Sequence, residues 1–262
     1  MLKVAAVLVG AVFVLLFASQ TGLTGLNSTD DYNVGSELAT ATELVSEQVG
    51  DVADSLGDVS TVKTVETSTP VDLLDIASGP TSERTIEKVE VYERTPVGMA
   101  LARLASLDSP GRRDPEAFIS AVNDLQSEWD PRYETAKSDH GRLLHRLASV
   151  EETAAQYFLR QAELTARIHD PDLRADAAAG DAAEYRDYEE WLRASRDLKA
   201  RVDEIVRDID DMDVIIKKLN LSANFSALHT SFESLTLSIT GLHRDLEGFR
   251  LKSDEIARTF SN

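Results

Sequence analysis

The chain has 262 residues, no cysteine and a formal net charge of −19. Without cysteine there are no disulfides, thiolate nucleophiles, iron–sulfur clusters, Cys-based zinc sites or cysteine-linked lipid anchor. So acidic a chain repels nucleic-acid phosphates, so no DNA or RNA partner is expected, and the same balance suits proteins adapted to salt.

Residues Val4 to Ala18, VAAVLVGAVFVLLFA, form an uncharged apolar run preceded by Lys3. The run suits a signal-peptide core, and the uncharged residues after it, up to Asp30, extend it to roughly the 20 residues a membrane span needs. Cleavage after Ala18 would place Leu16 where a small residue is wanted, which favours an uncleaved signal anchor over a cleaved signal. Residues 1–24 are therefore read as signal anchor or signal peptide. Lys3 stays in the cytoplasm and the acidic body is exported, on the periplasmic side in a diderm cell.

Residues 25–84 are rich in Ser, Thr, Asp, Gly and Val, with few large apolar side chains, and are expected to form a flexible acidic stalk. Within it, Ser36 to Leu56 has weak amphipathic spacing through Leu38, Leu44, Val45, Val49, Val52 and Leu56, and a short helix is expected over Val71 to Ala77.

A helical domain is expected over 85–262. A short helix spans Pro96 to Leu107, and SLDSPGRRDP breaks it. Asp114 caps a helix from Pro115 to about Glu128. Asp130-Pro131 reads as a second start, and Asp170-Pro171 ends that helix near His169. The segment 171–180, PDLRADAAAG, reads as a connection that can hold a short helical piece.

Three apolar seams step by threes and fours. The first is Leu143, Leu147, Val150, Ala154, Tyr157, Gln161, Leu164 and Ile168. The second runs from Tyr188, Trp191, Ser195 and Leu198 through Val202, Ile205 and Ile209 to Met212, Ile216 and Leu219. The third runs from Phe225, Leu228, Phe232 and Leu235 through Ile239, Leu242 and Leu246 to Phe249, Ser253, Ile256 and Phe260. Steps averaging 3.5 residues keep one face toward a partner. No such helix buries its seam alone, so the expected fold is all-α: a long antiparallel helical bundle or coiled coil with an N-terminal membrane anchor and flexible stalk. Lys217 and Lys218 favour a helix end, followed by a break at Asn220 to Asn224.

Three segments resemble a bacterial domain-of-unknown-function family of exported, lipoprotein-like coiled-coil proteins, over roughly residues 85–260. IEKVEVYERTPVGMALARL (86–104) is similar to that family's opening. RLLHRLASVEETAAQYFLRQAEL (142–164) is similar to its first long helix, and IIKKLNLSANFSALHTSFESL (215–235) to the hinge before its last. The chain departs from the family in lacking a lipobox cysteine and in its long stalk. The resemblance implies an exported helical bundle and brings no catalytic residue.

No residue pattern carries chemistry. His140, His145, His169, His229 and His243 lack the spacing of a zinc site, and no HExxH, Walker or GxSxG motif occurs. Glu151, Glu152, Glu184, Glu189 and Glu190 lack the Glu-x-x-His companions of a di-metal bundle. Asp208, Asp210, Asp211 and Asp213 read as a solvated face, with weak calcium binding as the sharper alternative. Tyr185, Tyr188 and Trp191 read as end-packing of the bundle or, more speculatively, as a contact with a partner. No catalytic, metal or cofactor-binding residue is expected, and no cofactor.

The function expected is that of a membrane-tethered, exported structural or interaction protein without catalytic activity. It would bind an unknown protein partner or itself. The alternative is a periplasmic sensory or ligand-binding bundle acting through a membrane partner.

Overall fold

A computed structural model describes residues 34–70, 86–107, 114–219 and 225–261, with backbone only over 64–70, 86–92 and 225–227. Its elements are five helices and two strands. In chain order they are α1 (Val34–Val59), β1 (Val62–Pro70), β2 (Ile86–Arg94), α2 (Pro96–Leu107), α3 (Pro115–Ala166), α4 (Pro171–Leu219) and α5 (Phe225–Phe260). The described chain is a helical bundle with one small hairpin. Its contacts divide it into two units, and each of the long helices contributes a segment to both.

The first unit comprises residues up to Ala53, Ser138–Glu204 and His243–Asn262. Here α3 and α4 run antiparallel, because rising numbers on one meet falling numbers on the other. His140 Nε2 lies 2.7 Å from Asp203 Oδ1, Tyr157 donates to Glu184 at 2.8 Å, and Thr165 donates to Asp181 at 2.6 Å. Helix α5 returns along α4, with Arg201 paired to Asp245 and Trp191 Nε1 donating to Ser253 Oγ at 2.9 Å. The second and third seams are buried here as their spacing requires: Tyr188, Trp191, Ser195, Leu198 and Val202 on α4, and Leu246, Phe249, Ser253, Ile256 and Phe260 on α5.

Helix α1 corrects the reading of 25–84 as a flexible stalk. The amphipathic segment over Ser36 to Leu56 is a full helix of 26 residues. Within the first unit, Leu38, Ala39, Val45, Val49 and Val52 are buried, together with Thr42, Ser46 and Gln48. Fully burying a Val or Leu contributes about 1.5–3 kcal/mol, so this segment is an integral part of the core. Its start fits closely: a Cβ on Gly35 would lie 3.2 Å from the Phe260 carbonyl oxygen. The helix expected over Val71 to Ala77, and the apolar run 4–18, lie outside the described residues.

The second unit comprises Asp54–Lys137 and Ile205–Leu242. The strands pair antiparallel from Val62↔Arg94 to Pro70↔Ile86. Thr95 joins the hairpin to α2. Its amide donates to the Thr61 carbonyl at 3.2 Å, its hydroxyl donates to the Ser60 carbonyl at 2.5 Å, and the same oxygen caps α2 through the Gly98 amide at 3.0 Å. Gly98 is required by this approach, since a Cβ there would sit 2.0 Å from the Thr61 carbonyl oxygen. Thr236 on α5 holds the same turn through the Thr61 amide at 3.1 Å. Trp129 fills the core and meets Phe232 edge-on, ring centroids 5.6 Å apart.

Two helix boundaries differ from the sequence reading. Helix α3 passes through Asp130-Pro131 without a break, and α4 begins at Pro171, so PDLRADAAAG is helix and not a connection. The cap expected at Asp114 forms, and Asp170 caps α4 in the same way: each carboxylate accepts from two first-turn amides, at 3.0 and 3.4 Å for Asp114 and at 2.9 and 3.1 Å for Asp170.

Candidate functional site

The first unit carries a run of aromatic rings. Phe158 touches Tyr157, Tyr185, Tyr188 and Phe260, with ring centroids 5.0 to 6.0 Å apart. Tyr188 then stacks on Trp191, which leans on Phe249. Seam spacing positions these rings, because Tyr188 and Trp191 on α4 face the same side as Phe249 and Phe260 on α5. Trp191 is completely buried and Tyr188 nearly so, while Tyr185 is half-buried. Of the three residues offered as a partner contact, only Tyr185 keeps substantial exposed surface. Tyr157 and Phe158 complete the cluster, and their spacing from Ala154 and Val150 is the signal that finds them.

A polar ladder lies beside the rings. Glu184 accepts from the Tyr157 hydroxyl at 2.8 Å and from the Gln161 amide at 2.7 Å, and Asp181 accepts from Thr165. Burial, reinforced by the Glu184 carboxylate, pushes the Tyr157 phenol well above its ordinary range. Burial and the Glu151 carboxylate do the same to Tyr188. Both phenols therefore stay protonated, as hydrogen-bond donors and ring surfaces and not as proton acceptors. Burial also raises the Asp181 carboxyl; the Thr165 hydrogen bond works against that rise and the Glu184 charge adds to it.

The second unit holds a charged network between α3 and α4. Asp210 accepts from Tyr133 at 3.0 Å and Lys137 at 2.8 Å, and Asp213 accepts from Lys217 at 2.7 Å. Lys137 and Lys217 both lie over the Tyr133 ring, 5.4 and 5.8 Å from its centroid. The acidic run is thus not one solvated face. Asp208 and Asp211 are exposed, whereas Asp210 is paired and Asp213 is buried. The Asp213–Lys217 spacing of four residues is legible in sequence. The pairing with α3 is not.

The histidines are scattered. His140 faces Asp203, and His145, His169, His229 and His243 are exposed. Among the described residues no group of three or more His, Asp or Glu side chains is placed to hold a metal ion.

An open groove of about 460 Å³ runs between α1 and α3 in the first unit, lined by Glu37, Thr40, Leu44, Arg146, Ser149 and Thr153. The hydroxyls of Thr40 and Thr153 already donate to carbonyls of their own helices, at 2.8 and 2.9 Å. Arg146 therefore provides most of the groove's free donors. Its guanidinium suits a carboxylate or similar anion, opposed by Glu37.

No protein-family model, no curated protein and no solved structure matches the chain.

Proposed function

We propose that the chain is a membrane-tethered, exported helical-bundle protein that acts by binding other proteins or copies of itself, without catalysis. The observation that carries this reading is the uncharged run Val4–Ala18 ahead of a strongly acidic helical body. Among the described residues no helix is long and apolar enough to cross a membrane. The tether thus rests on the amino-terminal run and the lone Lys3 before it. The likeness of 86–104, 142–164 and 215–235 to an exported coiled-coil family supports the same reading. So do the aromatic rings and polar ladder, whose groups are occupied with one another.

The test is membrane fractionation followed by cross-linking in intact cells. The full chain should stay with membranes through alkaline carbonate extraction and should cross-link to a partner or to itself. Release into the soluble fraction with an intact amino terminus would overturn the tether, and absence of any cross-linked species would overturn the interaction role.

The groove at Arg146 favours a second reading, a ligand-binding bundle acting through a membrane partner. A small carboxylate that raises the melting temperature of the chain, and fails to do so in Arg146→Ala, would favour it over the first.

A further inference from the structure

In the first unit, α3 and α4 extend past the end of their neighbours. Tyr157 marks that end, because its ring meets Phe260 on the last turn of α5 and lies beside Gly35 on the first turn of α1. Helix α3 continues nine residues further, to Ala166, or about 14 Å at 1.5 Å per residue, and α4 returns from Pro171. Residues 160–174 are thus a two-helix tip that no third helix among the described residues covers.

Leu164 and Leu173 are 48% and 62% exposed, flanking the half-buried Ile168. Arg160, Arg167 and Arg174 balance Glu163, Asp170 and Asp172, giving a net charge of zero in a chain of −19. Three of those charges are already engaged: Arg160 pairs with Glu163 at 3.1 Å, and Asp170 caps α4. Among the described residues Arg167 and Arg174 enter no ion pair, so two free guanidinium groups flank the exposed leucines. This arrangement suits the headgroup boundary, where apolar side chains dip in and arginines meet phosphates.

The first described helix starts at the same end. Helix α1 begins beside Tyr157, and residues 19–33 between the apolar run and α1 span at most roughly 50 Å at 3.3–3.6 Å per residue.

We propose that the 160–174 tip rests on the lipid headgroup surface of the membrane that holds the amino terminus, with Leu164, Ile168 and Leu173 inserted and Arg167 and Arg174 on phosphates. This rests on the tether proposed above. It fixes how the first unit is oriented, which a flexible tether alone does not.

The absence of cysteine makes the test direct, because a single introduced thiol is labelled uniquely. Full-length Leu164→Cys and Leu173→Cys carry an environment-sensitive fluorophore, with Leu251→Cys, equally exposed on α5 of the same unit, as the reference. Each is reconstituted into phosphatidylcholine–phosphatidylglycerol vesicles containing a headgroup-level quencher. The labels at 164 and 173 should be quenched about twofold or more over the label at 251. Equal quenching at all three positions, in a chain that floats with the vesicles, overturns the proposal and leaves the tether intact. Failure of the chain to float overturns both. Self-quenching of the 173 label in lipid-free detergent, lost on dilution, would assign the tip to a second copy instead.

Discussion

The same dipeptide meets opposite fates at two places in this chain. Asp130-Pro131 lies inside a continuous helix, whereas Asp170-Pro171 starts a new one. Proline removes one helical hydrogen bond and its ring presses on the carbonyl four residues back, a penalty of about 3 kcal/mol. At 131 the neighbouring residues offset it. Trp129 is fully buried against Phe232, Tyr133 stacks on Trp129 and bonds Asp210, and Arg132 Nη1 donates to the Glu128 carbonyl at 2.5 Å. At 171 no described side chain from Ala162 to Asp176 is fully buried. Nothing there offsets the penalty, so the chain turns and Asp170 caps the new helix. Local sequence states the preference, and tertiary packing decides whether it is obeyed.

The comparison breaks most sharply at Trp129. Trp129→Ala should destabilise the protein by about 3–5 kcal/mol in urea unfolding, because it removes the ring that holds the helix through Pro131. A loss under about 1 kcal/mol would mean the helix crosses Pro131 for some other reason. Pro131→Ala should stabilise the chain by about 1–2 kcal/mol, since the hydrogen bond is regained while the unfolded chain becomes freer. Pro171→Ala, at a first-turn position, should change stability by less than about 0.5 kcal/mol, and an equal gain at both prolines would erase the contrast. Asp170→Ala should lose about 0.5–2 kcal/mol of cap energy, read most clearly as faster amide exchange over the first turn of α4.

The smallest effect concerns acid. Burial pushes the Asp203 carboxyl up, but hydrogen bonds from Lys199 and His140 outweigh it and hold the group below its ordinary value. A carboxyl lowered in the folded state stabilises above its unfolded pKa, and that stability is lost as pH falls through the folded value. Asp203→Asn should therefore shift the acid-unfolding midpoint slightly upward in pH and leave the tip's amide exchange unchanged. An unaltered acid limb would show that the His140–Asp203 contact contributes nothing.

The second and third seams were legible almost residue by residue, because large apolar side chains at steps of three and four have few other uses. The first seam was legible only as far as Tyr157. Beyond it the spacing continues through Leu164, yet that side chain is exposed because no third helix among the described residues reaches it. Periodicity records which face a helix offers and not whether a neighbour is present to take it. Helix α1 is underread in sequence for the opposite reason. Thr42, Ser46, Gln48 and Ser55 have the character of linker residues, yet all four are buried. Thr42 satisfies its hydroxyl on the Leu38 carbonyl of its own helix, at 2.8 Å, so a small polar residue can enter a core without a partner from elsewhere. At the aromatic cluster, Tyr188 and Trp191 were visible as a group, their partners Phe249 and Phe260 were visible only as seam members, and Phe158 was not singled out. The contacts among them arise because α4 returns along α3 and α5 along α4, which spacing does not encode.

The placement of Gly35 beside Phe260 sets a schedule. Those residues are 225 positions apart in the chain. At a synthesis rate of about 5–20 residues per second, the first turn of α1 leaves the ribosome about 11–45 s before the turn that closes against it. Through that interval Leu38, Val45, Val49 and Val52 have no complete core to enter. The first unit is thus assembled only after Phe260 has been made. Loss of the last turns of α5 would leave α1 without its seat.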